Sequence, residues 1–165
     1  MRKRKVSRTK VLVIYDSFFG NTEQISYSIR DALGSNVEAL RVGDVEPEQI
    51  SGLEYLIVGS PTRAFKPTKA ITTFLKKMPG GSLRGVNVAA FDTRIAKEDV
   101  NSSVLNVFVR FFGYAVKPIA DRLQKKGGTL VVPPEGFYVE DTEGPLKDGE
   151  LERAATWTGQ LLEAQ

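Results

Sequence analysis

The chain has 165 residues, 41% of them hydrophobic and 26% charged, enough for one sizeable core. It contains no cysteine and no histidine. That excludes disulfides, thiolate metal sites, thiol nucleophiles, Ser-His-Asp triads and histidine-ligated metals. Chemistry must come from Ser, Thr, Tyr, Asp, Glu, Lys and Arg, or from a cofactor that carries the hard step itself.

The formal net charge is +3, but Arg2, Lys3, Arg4, Lys5, Arg8 and Lys10 supply six positive charges; the remainder holds 17 basic against 20 acidic residues. Residues 1–9 read as a solvated basic leader, with weak contact to nucleic acid or an anionic surface as the alternative. A strand rather than a secretory apolar region follows it, so it is not a signal peptide. No apolar run is long enough to span a membrane. Residues 10–165 then read as a single domain, expected in the cytoplasm, with no nucleic-acid partner.

Val11-Leu12-Val13-Ile14-Tyr15 reads as a fully buried strand. It breaks into Asp16-Ser17-Phe18-Phe19-Gly20-Asn21-Thr22, after which Ile25, Ile29, Ala32 and Leu33 recur at helical spacing. A strand, a small polar turn and a helix start aim backbone N–H groups at one point, which suits an anion. Ser17 and Thr22 add hydroxyls, and Gly20 allows close backbone approach. Plain helix capping by Ser17 or Asn21 is the alternative reading.

Gly34 stops the first helix, and residues 36–42 alternate weakly as a second strand. Residues 44–50 form a short acidic, proline-bearing helical turn, with Asp44 or Val45 before it. Tyr55-Leu56-Ile57-Val58-Gly59 is a third, nearly all-apolar strand that ends in the loop Ser60-Pro61-Thr62-Arg63-Ala64-Phe65-Lys66-Pro67. Thr68 caps a helix through Ile71, Phe74, Leu75 and Met78. Residues 86–91 are a fourth strand opening into the loop Asp92-Thr93-Arg94-Ile95-Ala96.

Residues 103–126 are helical by pattern, in two pieces divided near Gly113. Their apolar run 104–114 is either packed on the domain or a contact surface, such as a homodimer interface, a lid or a shallow membrane or quinone contact. Thr129-Leu130-Val131-Val132 is the fifth strand, broken by Pro133-Pro134; Gly136-Phe137-Tyr138-Val139 continues it or forms its own. A last helix from about Gly149 buries Leu151, Ala154, Ala155, Trp157, Leu161 and Leu162.

Apolar strands alternating with helices predict an α/β fold: a doubly wound parallel sheet covered on both faces. Right-handed crossovers bring the loops after strands one, three and four to one edge, where a ligand sits.

The first loop, Tyr15-Asp16-Ser17-Phe18-Phe19-Gly20-Asn21-Thr22, resembles that of the flavodoxin-like family, and the strand and loop order extends the likeness from about Lys10 to Leu162. The resemblance implies a five-stranded sheet of order 2-1-3-4-5 and FMN as cofactor. It implies that Ser17, Phe18, Phe19, Gly20, Asn21 and Thr22 surround the phosphate, with Phe19 standing where the family often has Thr. Ser60, Pro61, Thr62, Arg63, Ala64 and Phe65 would flank the flavin ring on one side, and Asp92, Thr93 and Arg94 on the other. No Tyr occupies the third loop, which leaves one flavin face more open. The function implied is an FMN-binding redox protein, chiefly an electron-transfer carrier working with a redox partner protein or a small redox-active substrate. A flavin-dependent reductase of a quinone-like or porphyrinogen-like substrate is the alternative, and a flavin-free interaction scaffold is a further one.

Overall fold

The structure, a computed structural model, describes residues 10–96 and 114–164. The leader 1–9 and, apart from Tyr114, the apolar run 104–114 therefore lie outside the described residues. Among those described, no helix is long and apolar enough to cross a membrane.

The elements are β1 (Val11–Tyr15), α1 (Asn21–Leu33), β2 (Glu38–Arg41), α2 (Pro47–Ile50), β3 (Tyr55–Pro61), α3 (Lys69–Lys77), β4 (Asn87–Ile95), α4 (Val116–Lys125), β5 (Thr129–Leu130), β6 (Glu135–Val139) and α5 (Glu150–Glu163). The sheet is parallel, in the order β2-β1-β3-β4-β5. β6 also pairs with β4, in parallel, and is an additional strand. Pro133 and Pro134 separate β5 from β6; neither can donate a ladder hydrogen bond, so the edge beside β4 is filled in two pieces.

Alternation along the strands splits the core in two. Leu12, Ile14, Leu56, Val58, Val88 and Ala90 face Ile71 and Leu75 of α3 and Ile119 and Leu123 of α4. Val13, Ile57, Ala89 and Phe91 face Ile25 and Ile29 of α1 and Ala154, Trp157 and Leu161 of α5. β1 and β3 read as unbroken apolar runs because both their faces are covered. Gly59 leaves space that the Phe91 ring fills; a Cβ there would overlap the ring.

Several points differ from the sequence reading. β3 does not end at Gly59 but runs through Ser60 to Pro61. Asp92-Thr93-Arg94-Ile95 is not a loop: β4 runs through it and pairs with β6. The α2 cap is Glu46, in a capping box with Gln49, rather than Asp44 or Val45. The fifth strand ends at Leu130, before Val131 and Val132. On α5, Leu151 and Leu162 are exposed while Glu150 and Thr158 are buried. Thr68 does cap α3, its side chain accepting from Ile71 N at 3.3 Å.

Candidate functional site

The turn between β1 and α1 is built from its own side chains. Ser17 N donates to Asp16 Oδ1 at 2.9 Å, and Gly20 N donates to Ser17 Oγ at 3.0 Å. Gly20 takes φ 88°, a left-handed conformation that glycine adopts without penalty. Among the described residues no side chain caps α1. Its first intrahelical bond runs from Gln24 N to Gly20 O, so the earlier N–H groups are left for another partner. Capping by Ser17 or Asn21 is thus not what this turn does. Ser17 Oγ accepts from Gly20 and keeps its own hydrogen to donate.

Arg41, at the end of β2, braces the turn from outside. Its guanidinium donates to Ser17 O at 2.7 Å and pairs with Glu23 at 3.2 Å and Asp16 at 3.4 Å. Glu23 also accepts from Tyr15 Oη at 2.9 Å. Burial first, then hydrogen bonds with Tyr27 and Glu23, push the Tyr15 phenol up, so it stays a donor. Arg41 was not singled out from the sequence. Its signal is its place opposite Tyr15, the residue preceding the turn, in the β1–β2 register.

The loops after β1 and β3 and the carboxyl end of β4 meet around one cleft of about 390 Å³, within the range of small-molecule sites. Of the residues expected from the sequence, Ser17, Phe18, Phe19, Asn21 and Thr22 line it from the first loop. Pro61, Thr62, Arg63 and Ala64 line it from the second, and Thr93 and Arg94 from β4. Gly20, Ser60, Phe65 and Asp92 do not line it. Ser60 Oγ instead accepts from Thr68 N at 3.0 Å, which anchors the start of α3. Ile95, Val139 and Thr142 complete the lining; the last two belong to β6 and the loop after it.

The cleft floor is uncharged. Thr22 Oγ1 and Thr93 Oγ1 share one hydrogen bond of 2.7 Å, which leaves one hydroxyl hydrogen for a ligand. Asn21 Nδ2 donates to Glu143 O at 3.2 Å, tying the acidic 140–149 loop to the turn. The rim is cationic and aromatic. Phe18 and Phe19 are 57% and 45% exposed, and the Arg63 guanidinium lies 5.0 and 5.7 Å from their ring centroids. Among the described residues lining the cleft there are two arginines and no carboxylate. The donor set therefore suits an anion held by N–H and O–H groups.

Behind β4, Asp92 is fully buried and gripped from three sides. Its carboxylate accepts from Arg94 Nε at 2.6 Å and Nη2 at 2.8 Å, and from Val116 N at 2.9 Å. Burial pushes the Asp92 carboxyl up; the Arg94 charge and hydrogen bonds, with those of Val116 N and the Thr62 hydroxyl, pull the other way. The Arg94 guanidinium also lies 3.7 Å from the Tyr114 ring centroid.

A second polar cluster fixes β6 to α5. Glu150 accepts from Tyr138 N at 2.8 Å and from Arg153 at 2.9 and 2.7 Å, and Arg153 pairs with Glu135 at 3.1 Å. Burial pushes the Glu150 carboxyl up, but hydrogen bonds from Arg153 and Tyr138 N outweigh it and hold it below the usual glutamate value. This cluster sets the course of β6 into Val139, on the cleft wall.

A sequence model described as a flavodoxin domain matches residues 12–131. Solved structures share the fold. Flavodoxin 2 from Bacillus cereus aligns with TM-score 0.72 and 21% identity over 94% of this chain and 99% of its own. Flavodoxin 1 from the same organism gives 0.71 and 17%, over 93% and 97%. Rubredoxin oxygen:oxidoreductase from Desulfovibrio gigas gives 0.70 and 19%, over 95% of this chain and 36% of that longer one. With the parallel 2-1-3-4-5 sheet and the ligand-sized cleft at its carboxyl edge, the matched domain identifies the chain as a member of the flavodoxin family.

Proposed function

We propose that the cleft binds FMN and that the protein transfers electrons through it as a carrier. The observation that carries this reading is the convergence of the loops after β1 and β3 and the end of β4 on the start of α1, in a cleft lined by donors and two arginines. Ser17, Asn21 and Thr22, with the first N–H groups of α1, would hold the phosphate dianion without a lysine or arginine in contact. Pro61 to Ala64 would flank the ring on one side, and Arg94 and Ile95 on the other. FMN would supply reversible uptake and release of electrons, which none of the side chains of this chain provides. The protein contributes position, access and local charge.

A second reading, a flavin-dependent reductase of a quinone-like or porphyrinogen-like substrate, is favoured by one feature. The rim presents two exposed phenyl rings under the Arg63 cation rather than a carboxylate-lined edge. Such a rim suits a small aromatic, anionic acceptor.

The binding test is titration of the purified protein with FMN, followed by flavin fluorescence. Saturable quenching near one FMN per chain is the expected result; its absence removes the redox reading. Oxidation of the reduced, loaded protein by a soluble quinone separates the two roles. Saturation kinetics that Arg63→Ala weakens would favour the reductase, and a linear, Arg63-independent rate the carrier.

A further inference from the structure

The Asp92–Arg94 pair is oriented, and its orientation has a chemical consequence for the cleft. Asp92 is fully buried and does not line the cleft, whereas Arg94 lines it with 14% of its side chain exposed. The pair is neutral overall, yet its positive end is presented to the ligand space and its negative end lies behind. Coulomb energy falls with distance, so the nearer charge dominates at the cleft.

The guanidinium is also held in place. Asp92 takes two of its N–H groups and Tyr114 packs against it. Gly136 on β6, in register with Asp92, leaves the space that the guanidinium occupies; a Cβ there would overlap it. Three elements thus fix one cation.

Strand alternation separates this cation from the anion-binding turn. Phe91 and Thr93 face α1, and Thr93 reaches Thr22 there. Arg94 leaves β4 on the opposite side, toward α3 and α4. A ligand anchored at the start of α1 therefore meets Arg94 with its far end.

Resting on the FMN reading above, we propose that Arg94 is the group that favours the reduced, negatively charged flavin in this protein, and that Asp92 is the positioning residue that holds it. Uptake of two electrons and one proton leaves one negative charge on a flavin ring that was neutral. A fixed cation beside the ring binds that product more tightly than the oxidised form, and so raises the midpoint potential.

The test measures affinity for oxidised FMN by fluorescence, and the midpoint potential by dye equilibration with dithionite as reductant. Arg94→Gln is expected to weaken binding of reduced relative to oxidised flavin about tenfold, a fall of about 30 mV for a two-electron couple. Arg94→Lys, which keeps the charge but not the fork, is expected to restore part of it. Should Arg94→Gln fail to fold because Asp92 is left unpaired, the double variant Asp92→Asn/Arg94→Gln removes both charges and decides the matter, again with a lower potential expected.

Riboflavin, which lacks the phosphate, is expected to show the same shift. A shift seen with FMN alone would put Arg94 at the phosphate and overturn the proposal. So would an unchanged potential in variants that fold and bind FMN. Failure of the wild-type protein to bind FMN would overturn the reading of the site, and this proposal with it.

Discussion

The hydroxyl of Thr22, in the first turn of α1, lies 2.7 Å from that of Thr93, near the end of β4, and both residues are buried. This bond joins the turn at the start of α1 to the strand that carries Arg94. Losing one partner removes a hydrogen bond between two buried side chains, at about 0.5–1.5 kcal/mol. Thr22→Val is expected to destabilise the apo-protein by that amount in urea unfolding, and Thr22→Val/Thr93→Val to recover part of it. Both variants are expected to bind FMN at least about tenfold more weakly, the worth of one hydrogen bond to a charged group. Unchanged affinity would remove Thr22 from the phosphate site.

Gly59 faces the Phe91 ring with no room for a methyl group. Phe91 is fully buried, and its ring centroid lies 6.0 Å from that of Phe137 and 6.1 Å from that of Trp157. Gly59→Ala is therefore expected to cost at least about 1–3 kcal/mol, the range for overpacking a filled core. A thermal melt checks this, and a neutral result would show that β3 and β4 can part at this point.

Trp157 is 4% exposed, and its Nε1 has no hydrogen-bond partner among the described residues. It works as a packing group, and its polar atom is a liability. Trp157→Phe is expected to cost under about 1.5 kcal/mol, because the smaller ring also removes the unpaired N–H. Trp157→Ala is expected to cost about 3–5 kcal/mol through the cavity it leaves. Denaturant midpoints of the two variants distinguish packing from a hidden polar role.

The Glu150 carboxyl is held below its usual value in the folded chain. The unfolded chain then binds more protons as pH falls, so the stabilisation is present above the ordinary glutamate range and is lost below it. Glu150→Gln is expected to cost about 1–3 kcal/mol at neutral pH, with the gap from wild type narrowing below about pH 4. Urea unfolding at the two pH values measures the gap; a constant difference would assign Glu150 a packing role alone.

Much of this arrangement is legible in the sequence. The runs of β1 and β3 announce buried parallel strands because neither face needs polar residues. Thr68 announces its helix because the cap chemistry is local. The end of β4 is not legible in the same way. Asp92 and Arg94 look like loop residues, but at a spacing of two they share a face and neutralise each other inside the sheet. Glu150 hides for a related reason: its partners, Arg153 on its own helix and Tyr138 N on β6, are joined only by the fold. Apolarity alone places Leu151 and Leu162 in the core, yet the face of α5 that packs on α1 and β6 runs through Ala154, Trp157, Thr158 and Leu161. Most first- and second-loop residues reach the cleft as expected, but Thr93 and Arg94 reach it from strand β4; Arg41, which braces the turn, and Val139 and Thr142 come from β2, β6 and the loop after β6, which no single-loop motif reports.

The most direct test of the central claim is FMN titration of the apo-protein, read by flavin fluorescence together with the visible spectrum. The account predicts quenching that saturates near one FMN per chain and that weakens in Thr22→Val. Quenching that never saturates, with protein that stays colourless after incubation with FMN and gel filtration, would contradict it.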